Sequence, residues 1–293
     1  MSWTLQAQKE EASPAVLFLI GVLFLSIFSF CFNPCLHSPS LLLINVAHAQ
    51  EQEPVTGELL VFAAASLTEP FTEIGNRLEL SHPGLKVMYN FAGSSGLRTQ
   101  LEQGAHADVF ASADAVQMEQ AKKSGVVQDE SSIFVRNKLI VIIPKANSGN
   151  VTEFRDLAKP GLKLDLANAN VPVGNYSRQA IGKAGADYGA DFEKQTLANI
   201  VSEEGNVKQV VTKVQLGEAD AGIVYVSDVT PQVGKDVQTI PIPDAYNQIA
   251  VYPIALTKDV KNLAAAKAFI SFALSAEGQA ILKAHNFTPI SAR

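Results

Sequence analysis

Four stretches of this chain set a small or hydroxyl-bearing segment at the start of an expected helix, directly after a strand or loop: Ser66, Ser94 with Ser95, residues 173–177, and Asn206 with Val207. A helix start leaves several backbone N–H groups without partners and carries about half a positive charge, so it suits an anion. The four stretches hold no lysine or arginine, which appear only on their flanks as Arg98, Arg178 and Lys208. A pocket built from hydroxyls and N–H groups suits a fully deprotonated oxyanion, whose oxygens all accept. An anion that keeps a proton, such as hydrogen phosphate, would leave that donor unsatisfied at a cost of about 1–3 kcal/mol.

Each residue also has an ordinary structural role. Ser66, three residues before Glu69, reads first as a helix N-cap in a capping box, worth about 1 kcal/mol. Ser94 and Ser95 fit a turn between Gly93 and Gly96. Tyr225 within AGIVYV reads as a core tyrosine with a satisfied hydroxyl. Val173 and Val207 pass for core valines, Asp108 for a strand-edge residue, and Asp114 for a helix cap with Gln117 three residues on.

The elements that must position these residues alternate between strand and helix, the signature of parallel sheets flanked by helices. Expected strands are residues 59–62, 85–91, 108–111, 138–143, 162–167, 221–226 and 249–256. Pro253 suggests an edge position or a hinge for the last of them. Expected helices open at Ser66 and Asp114 and cover residues 97–102, from about 177, 192–201, 207–216, 262–274 and 276–285. The chain leaves the first lobe near Ile140 and returns near Val251. Lobe I is therefore expected over residues 58–140 and 250–293, lobe II over 141–249, with two hinge crossings. Helix starts gather at the carboxyl edge of the strands in open α/β sheets, which puts two of the four stretches on each side of a cleft.

Residues 1–49 read as an export signal. An apolar run covers residues 15–32, and Ala47-His48-Ala49 has the small-x-small form of a cleavage site. The run is also long enough to span a membrane, so an uncleaved anchor is the alternative. Cys31 and Cys35 both precede the cut, which removes disulfide, zinc-thiolate and cysteine-nucleophile chemistry from the mature chain. Beyond residue 49 there are 22 Lys+Arg and 27 Asp+Glu, a net charge of −5. That balance argues against nucleic-acid or anionic-lipid partners. His82, His106 and His285 have no metal-ligand spacing, and neither a P-loop nor a Gly-x-Ser-x-Gly elbow is present.

The segments VFAAASL, NFAGSSGLRTQLEQGAHADVFASAD, VPVGNYS and AGIVYVSD resemble the molybdate-binding proteins of ABC importers, and the likeness extends over residues 58–289. The resemblance implies a two-lobe type II periplasmic-binding-protein fold of α/β class, with mixed, largely parallel sheets and a two-stranded hinge. It implies capture of molybdate, with tungstate as a mimic, by Ser66, Ser94, the main-chain N–H groups of Val173 and Val207, and the Tyr225 hydroxyl. Valine at 173 departs from the family's usual alanine. Expected further are a monomer that docks on an ABC permease, no enzyme activity, no cofactor and no metal cation. The rival readings are a same-fold binder of another anion such as sulfate, and a secreted enzyme using the cleft.

Overall fold

The computed structural model describes residues 55–290; the expected leader, its cut after Ala49 and the alternative of an anchor lie outside them. In chain order the elements are β1 (Gly57–Ala64), α1 (Thr68–Ser81), β2 (Leu85–Ala92), α2 (Ser94–Glu102), β3 (Val109–Ala111), α3 (Ala115–Lys123) and β4 (Ser132–Pro144). There follow β5 (Leu164–Ala167), α4 (Pro172–Tyr188), α5 (Phe192–Ala198), β6 (Ile200–Glu204), α6 (Val207–Gln215), β7 (Ala221–Tyr225) and β8 (Val237–Pro241). β9 (Ile249–Leu256), α7 (Leu263–Leu274), α8 (Ala276–Ala284) and β10 (Thr288–Pro289) complete the fold. No helix among the described residues is long and apolar enough to cross a membrane.

The strands hydrogen-bond in the order β2-β1-β3-β9-β4-β7-β5-β6, with β8 and β10 also on β4. β1 runs parallel to β2 and β3, and β5 runs parallel to β6 and β7. The join is antiparallel: β9 lies between β3 and β4, and β4 passes from one section to the other. Up to Lys138, β4 pairs with β9; from Leu139 on it pairs with β7, and from Ile140 also with β8. The result is a mixed α/β architecture with two sheet sections that share β4.

β1 is a continuous apolar run because both of its faces are covered. Leu59, Val61 and Ala63 enter the larger core, while Phe62 points the other way into a cluster with Leu97, Leu101, Phe110 and Met118. On the first face, the Phe71 ring meets Phe269 edge-on at 5.0 Å and Phe134 at 5.6 Å.

Several expectations are corrected. Of the two positions expected for Pro253, the edge is not the one found: it sits in a central strand, β9. Its missing N–H is tolerated because β4 shifts register opposite it, between Ile133 and Val135. The helix expected from about 177 begins at Pro172, whose absent N–H and fixed φ suit the first helical position. The helix expected over 192–201 stops at Ala198, and the chain forms β6, an outer strand at one end of the order. β8 and the first half of β4 were not expected either.

Asp165 in β5 is wholly buried, and neither carboxylate oxygen has a hydrogen-bond partner. Burial, with the Glu204 charge adding and Lys213 opposing, pushes it from its ordinary 3.8 up to about 7. The folded chain thus holds this proton where the unfolded chain has lost it, so the stability that the group contributes falls as pH rises from about 4 to about 7. Asp165→Asn is expected to flatten that slope and to raise stability above pH 7 by about 1–3 kcal/mol, measured by thermal unfolding across the window.

Candidate functional site

β1 ends in three alanines and passes through a short 3-10 turn, Ala65–Leu67, before α1 begins at Thr68. Ser66 therefore does not cap α1: the N-cap position falls on Leu67, with no side-chain cap. The buried Ser66 Oγ lies 2.9 Å from Tyr252 Oη. Burial holds the Tyr252 hydroxyl far above its ordinary titration range, so it stays a donor. Asn137 of β4 supports it from behind, with Nδ2 3.5 Å from Tyr252 Oη and 2.8 Å from Ser227 Oγ. Tyr252 can thus give its proton to Ser66 Oγ and leave the serine proton free to point elsewhere.

Ser94 opens α2 behind Gly93, which supplies no side-chain cap. Its buried Oγ accepts the Ala113 N–H at 3.0 Å, so its own proton is likewise unspent. In α4, Pro172 has no N–H and Val171 no capping side chain, which makes the Val173 N–H the first donor of the helix. In α6, Asn206 takes the N–H groups of Lys208 and Gln209 with its side chain, and Gln209 Oε1 accepts the Asn206 N–H. That reciprocal box leaves the Val207 N–H without a side-chain partner. Tyr225 ends β7 fully buried, and its hydroxyl has no hydrogen-bond partner.

All five residues line one cavity, together with Ala64, Ala65, Ala92, Gly93, Ala113, Val171, Pro172 and Asn206. Its volume is about 10 Å³. A guest must therefore shed its water to enter. No aspartate, glutamate, histidine, lysine or arginine is among the lining residues. The three flanking cations are engaged outside it: Arg98 with Glu102 and Gln117, Arg178 with Glu203 and two carbonyls, and Lys208 with Glu69. A far larger groove of about 590 Å³ runs along α7 between Gln128 and Lys267, and it contains none of the donor residues.

The two sections meet at backbone distance around this cavity. A Cβ on Gly93 would stand 2.3 Å from the carbonyl oxygen of Gly205 in the opposite section. Gln117 Nε2 donates to Asn170 O at 3.2 Å across the same boundary.

The ordinary roles fare unevenly. Val173 and Val207 do bury their side chains in the core. Asp114 does cap α3, accepting the Gln117 N–H at 2.8 Å, while the Gln117 side chain bonds Arg98 and Asn170 and does not close the box. Asp108 is more than a strand-edge residue: Oδ2 accepts the Leu60 N–H and Oδ1 those of Lys261 and Asn262. Tyr225 lacks the satisfied hydroxyl of a core tyrosine. Tyr252 and Asn137 carry no signal of this role in sequence, because strand periodicity shows where a tyrosine sits in a strand and says nothing of which distant serine it meets.

Fold and site together define a class of protein, and comparison places the chain in it. The chain belongs to the bacterial extracellular solute-binding protein family, whose model matches residues 59–288. Within that class it is 38% identical over 229 residues to the molybdate-binding protein ModA of Mycobacterium tuberculosis, covering 78% of this chain and 84% of the relative. The periplasmic molybdate-binding protein of Azotobacter vinelandii has the same fold, with a TM-score of 0.69 at 21% identity over 80% of this chain and all of that one. So has the sulfate-binding protein SubI of Mycobacterium tuberculosis, at a TM-score of 0.72 and 18% identity over 80% of this chain and 87% of that one.

Because the obstacle to a side chain at position 93 is a carbonyl of the opposite section, Gly93→Ala is expected to impede closure and leave each section folded. Oxyanion affinity should fall at least about tenfold, with the melting temperature of the anion-free protein nearly unchanged, as read by calorimetry beside thermal unfolding.

Proposed function

We propose that this chain is an extracytoplasmic solute-binding protein that captures molybdate, with tungstate as a mimic, and delivers it to the membrane permease of an ABC importer. The observation that carries the reading is the fully buried Tyr225 hydroxyl, which has no protein partner and lines a cavity with Ser66, Ser94 and the first turns of α4 and α6. An oxyanion completes all of these donors at once, and the relatives named for molybdate supply the chemical class. Residues 58–140 with 250–293, and residues 141–249, act as two lobes that hinge where β4 and β9 join the sections. The anion bridges donors from both lobes and so supplies the free energy of closure. No cofactor or metal cation takes part, and the protein works as a monomer.

Selectivity divides into two physical problems. A protonated phosphate is disfavoured because no carboxylate lines the cavity to accept its proton. Sulfate has the same charge and shape as molybdate and differs in size, and since a sulfate-binding protein shares the fold, only the cavity's dimensions can separate the two. The lack of any carboxylate, histidine or lysine among the lining side chains favours binding over catalysis.

Titration calorimetry with molybdate, tungstate, sulfate and phosphate tests the reading: heat with the first two and little with the others is expected, and no heat with any would overturn it. Tyr225→Phe sharpens the test. It removes a donor to a charged guest, so binding should weaken by roughly 10- to 100-fold, whereas the anion-free protein should be no less stable, because the lost hydroxyl had no partner.

A further inference from the structure

The cavity has a charged border that its lining does not use. Lys208, the residue after Val207, sends its ammonium across to α1 of the other section, where it donates to both carboxylate oxygens of Glu69 at 2.8 and 2.9 Å. Glu69 stands three residues beyond Ser66. One ion pair therefore ties together the two segments that carry Ser66 and Val207. Behind it, Lys208 Nζ lies 3.5 Å from Oδ1 of Asp228, an oxygen with no hydrogen-bond partner. The other Asp228 oxygen accepts the Tyr225 N–H at 3.1 Å. Asp228 is wholly buried and belongs to the same section as Lys208, whereas Glu69 belongs to the other.

This arrangement separates a fixed partner from a removable one. If the sections part, Lys208 keeps Asp228 and gives up only Glu69. The pair is half-buried, with side chains 27% and 37% exposed, so solvent screens it only in part. Burial pushes the Asp228 carboxyl up to about 6 even though the Lys208 charge pulls it down. The lysine is thus needed where it stands, and it offers Glu69 an anchored partner.

We propose that Glu69 is a positioning residue: by reaching Lys208 it latches the two sections together over the bound anion and sets the rate at which the anion is released. The proposal rests on the oxyanion-binding reading, yet its sign opposes simple electrostatics. A carboxylate near an anion site repels the ligand, so Coulomb's law alone predicts that Glu69→Gln binds molybdate more tightly. The latch predicts weaker binding.

The test compares the purified wild-type protein with Glu69→Gln and with Glu73→Gln, which removes an α1 carboxylate that faces His285. Molybdate affinity by calorimetry and release rate by loss of radiolabelled molybdate are measured at low and high salt. Glu69→Gln is expected to bind about 3- to 10-fold more weakly, with the change in the release rate and a smaller difference at high salt, and Glu73→Gln to match wild type. Glu69→Asp, which keeps the charge on a shorter arm, should recover part of the loss. Equal or tighter binding by Glu69→Gln overturns the latch while leaving oxyanion capture intact. If wild type binds no oxyanion, the capture reading fails and the latch over a bound anion fails with it, a result distinct from binding by wild type with no loss in Glu69→Gln.

Discussion

A buried hydrogen-bond donor without a partner costs about 1–3 kcal/mol, and this fold holds several of them around one small cavity. Tyr225 Oη is unpaired, the first donors of α4 and α6 have no side-chain cap, and the Ser66 and Ser94 oxygens are positioned as acceptors by Tyr252 and by the Ala113 N–H. The rest of the structure can be understood as the scaffold that keeps those donors aimed and unspent. Packed aromatic rings around Phe71, Phe134 and Tyr252 fix the floor beneath Ser66. The Asn206–Gln209 box satisfies the neighbours of Val207 and leaves that one N–H over.

Neutral donors give such a site a particular character. A lysine or arginine in the cavity would attract any anion, protonated or not, and would pair with a carboxylate whenever the site was empty. Here Arg98, Arg178 and Lys208 are each held by carboxylates outside the lining. A main-chain N–H is fixed in direction and cannot turn into an acceptor, so a guest that presents a proton to it gains nothing there. The proximity of Gly93 to Gly205 adds a steric demand, since the two sections approach until backbone meets backbone.

The strand that organises the first section and the helix start at Val207 were legible in the residues themselves. Leu59 to Phe62 is apolar without interruption because both faces are covered, and a run of that kind can be read without knowing what covers it. Misreadings fell where a neighbour decides. Ser66 looks like a helix cap in sequence, but the turn at Ala65–Leu67 moves the cap to Leu67 and hands the serine to a tyrosine 186 positions away. Pro253 suggests an edge or a hinge in sequence, and the edge reading fails because a register shift in the opposing strand accommodates it in the centre. Ile200–Glu204 has the half-polar pattern of an edge strand and adjoins a helix, so the boundary was lost.

Sequence alone determined the alternation of strands and helices, the absence of cysteine beyond residue 35, and the small or hydroxyl-bearing residues at four helix starts, because those depend on local periodicity and residue type. Tertiary structure decided what no local pattern carries: that the four starts and Tyr225 converge on one cavity, that the flanking cations are spent elsewhere, and that Tyr252 meets Ser66 while Glu69 and Asp228 both face Lys208. The reason is that hydrogen bonds and ion pairs form between atoms a few ångströms apart, whereas Ser66 and Tyr252, which make one of them, are 186 positions apart along the chain.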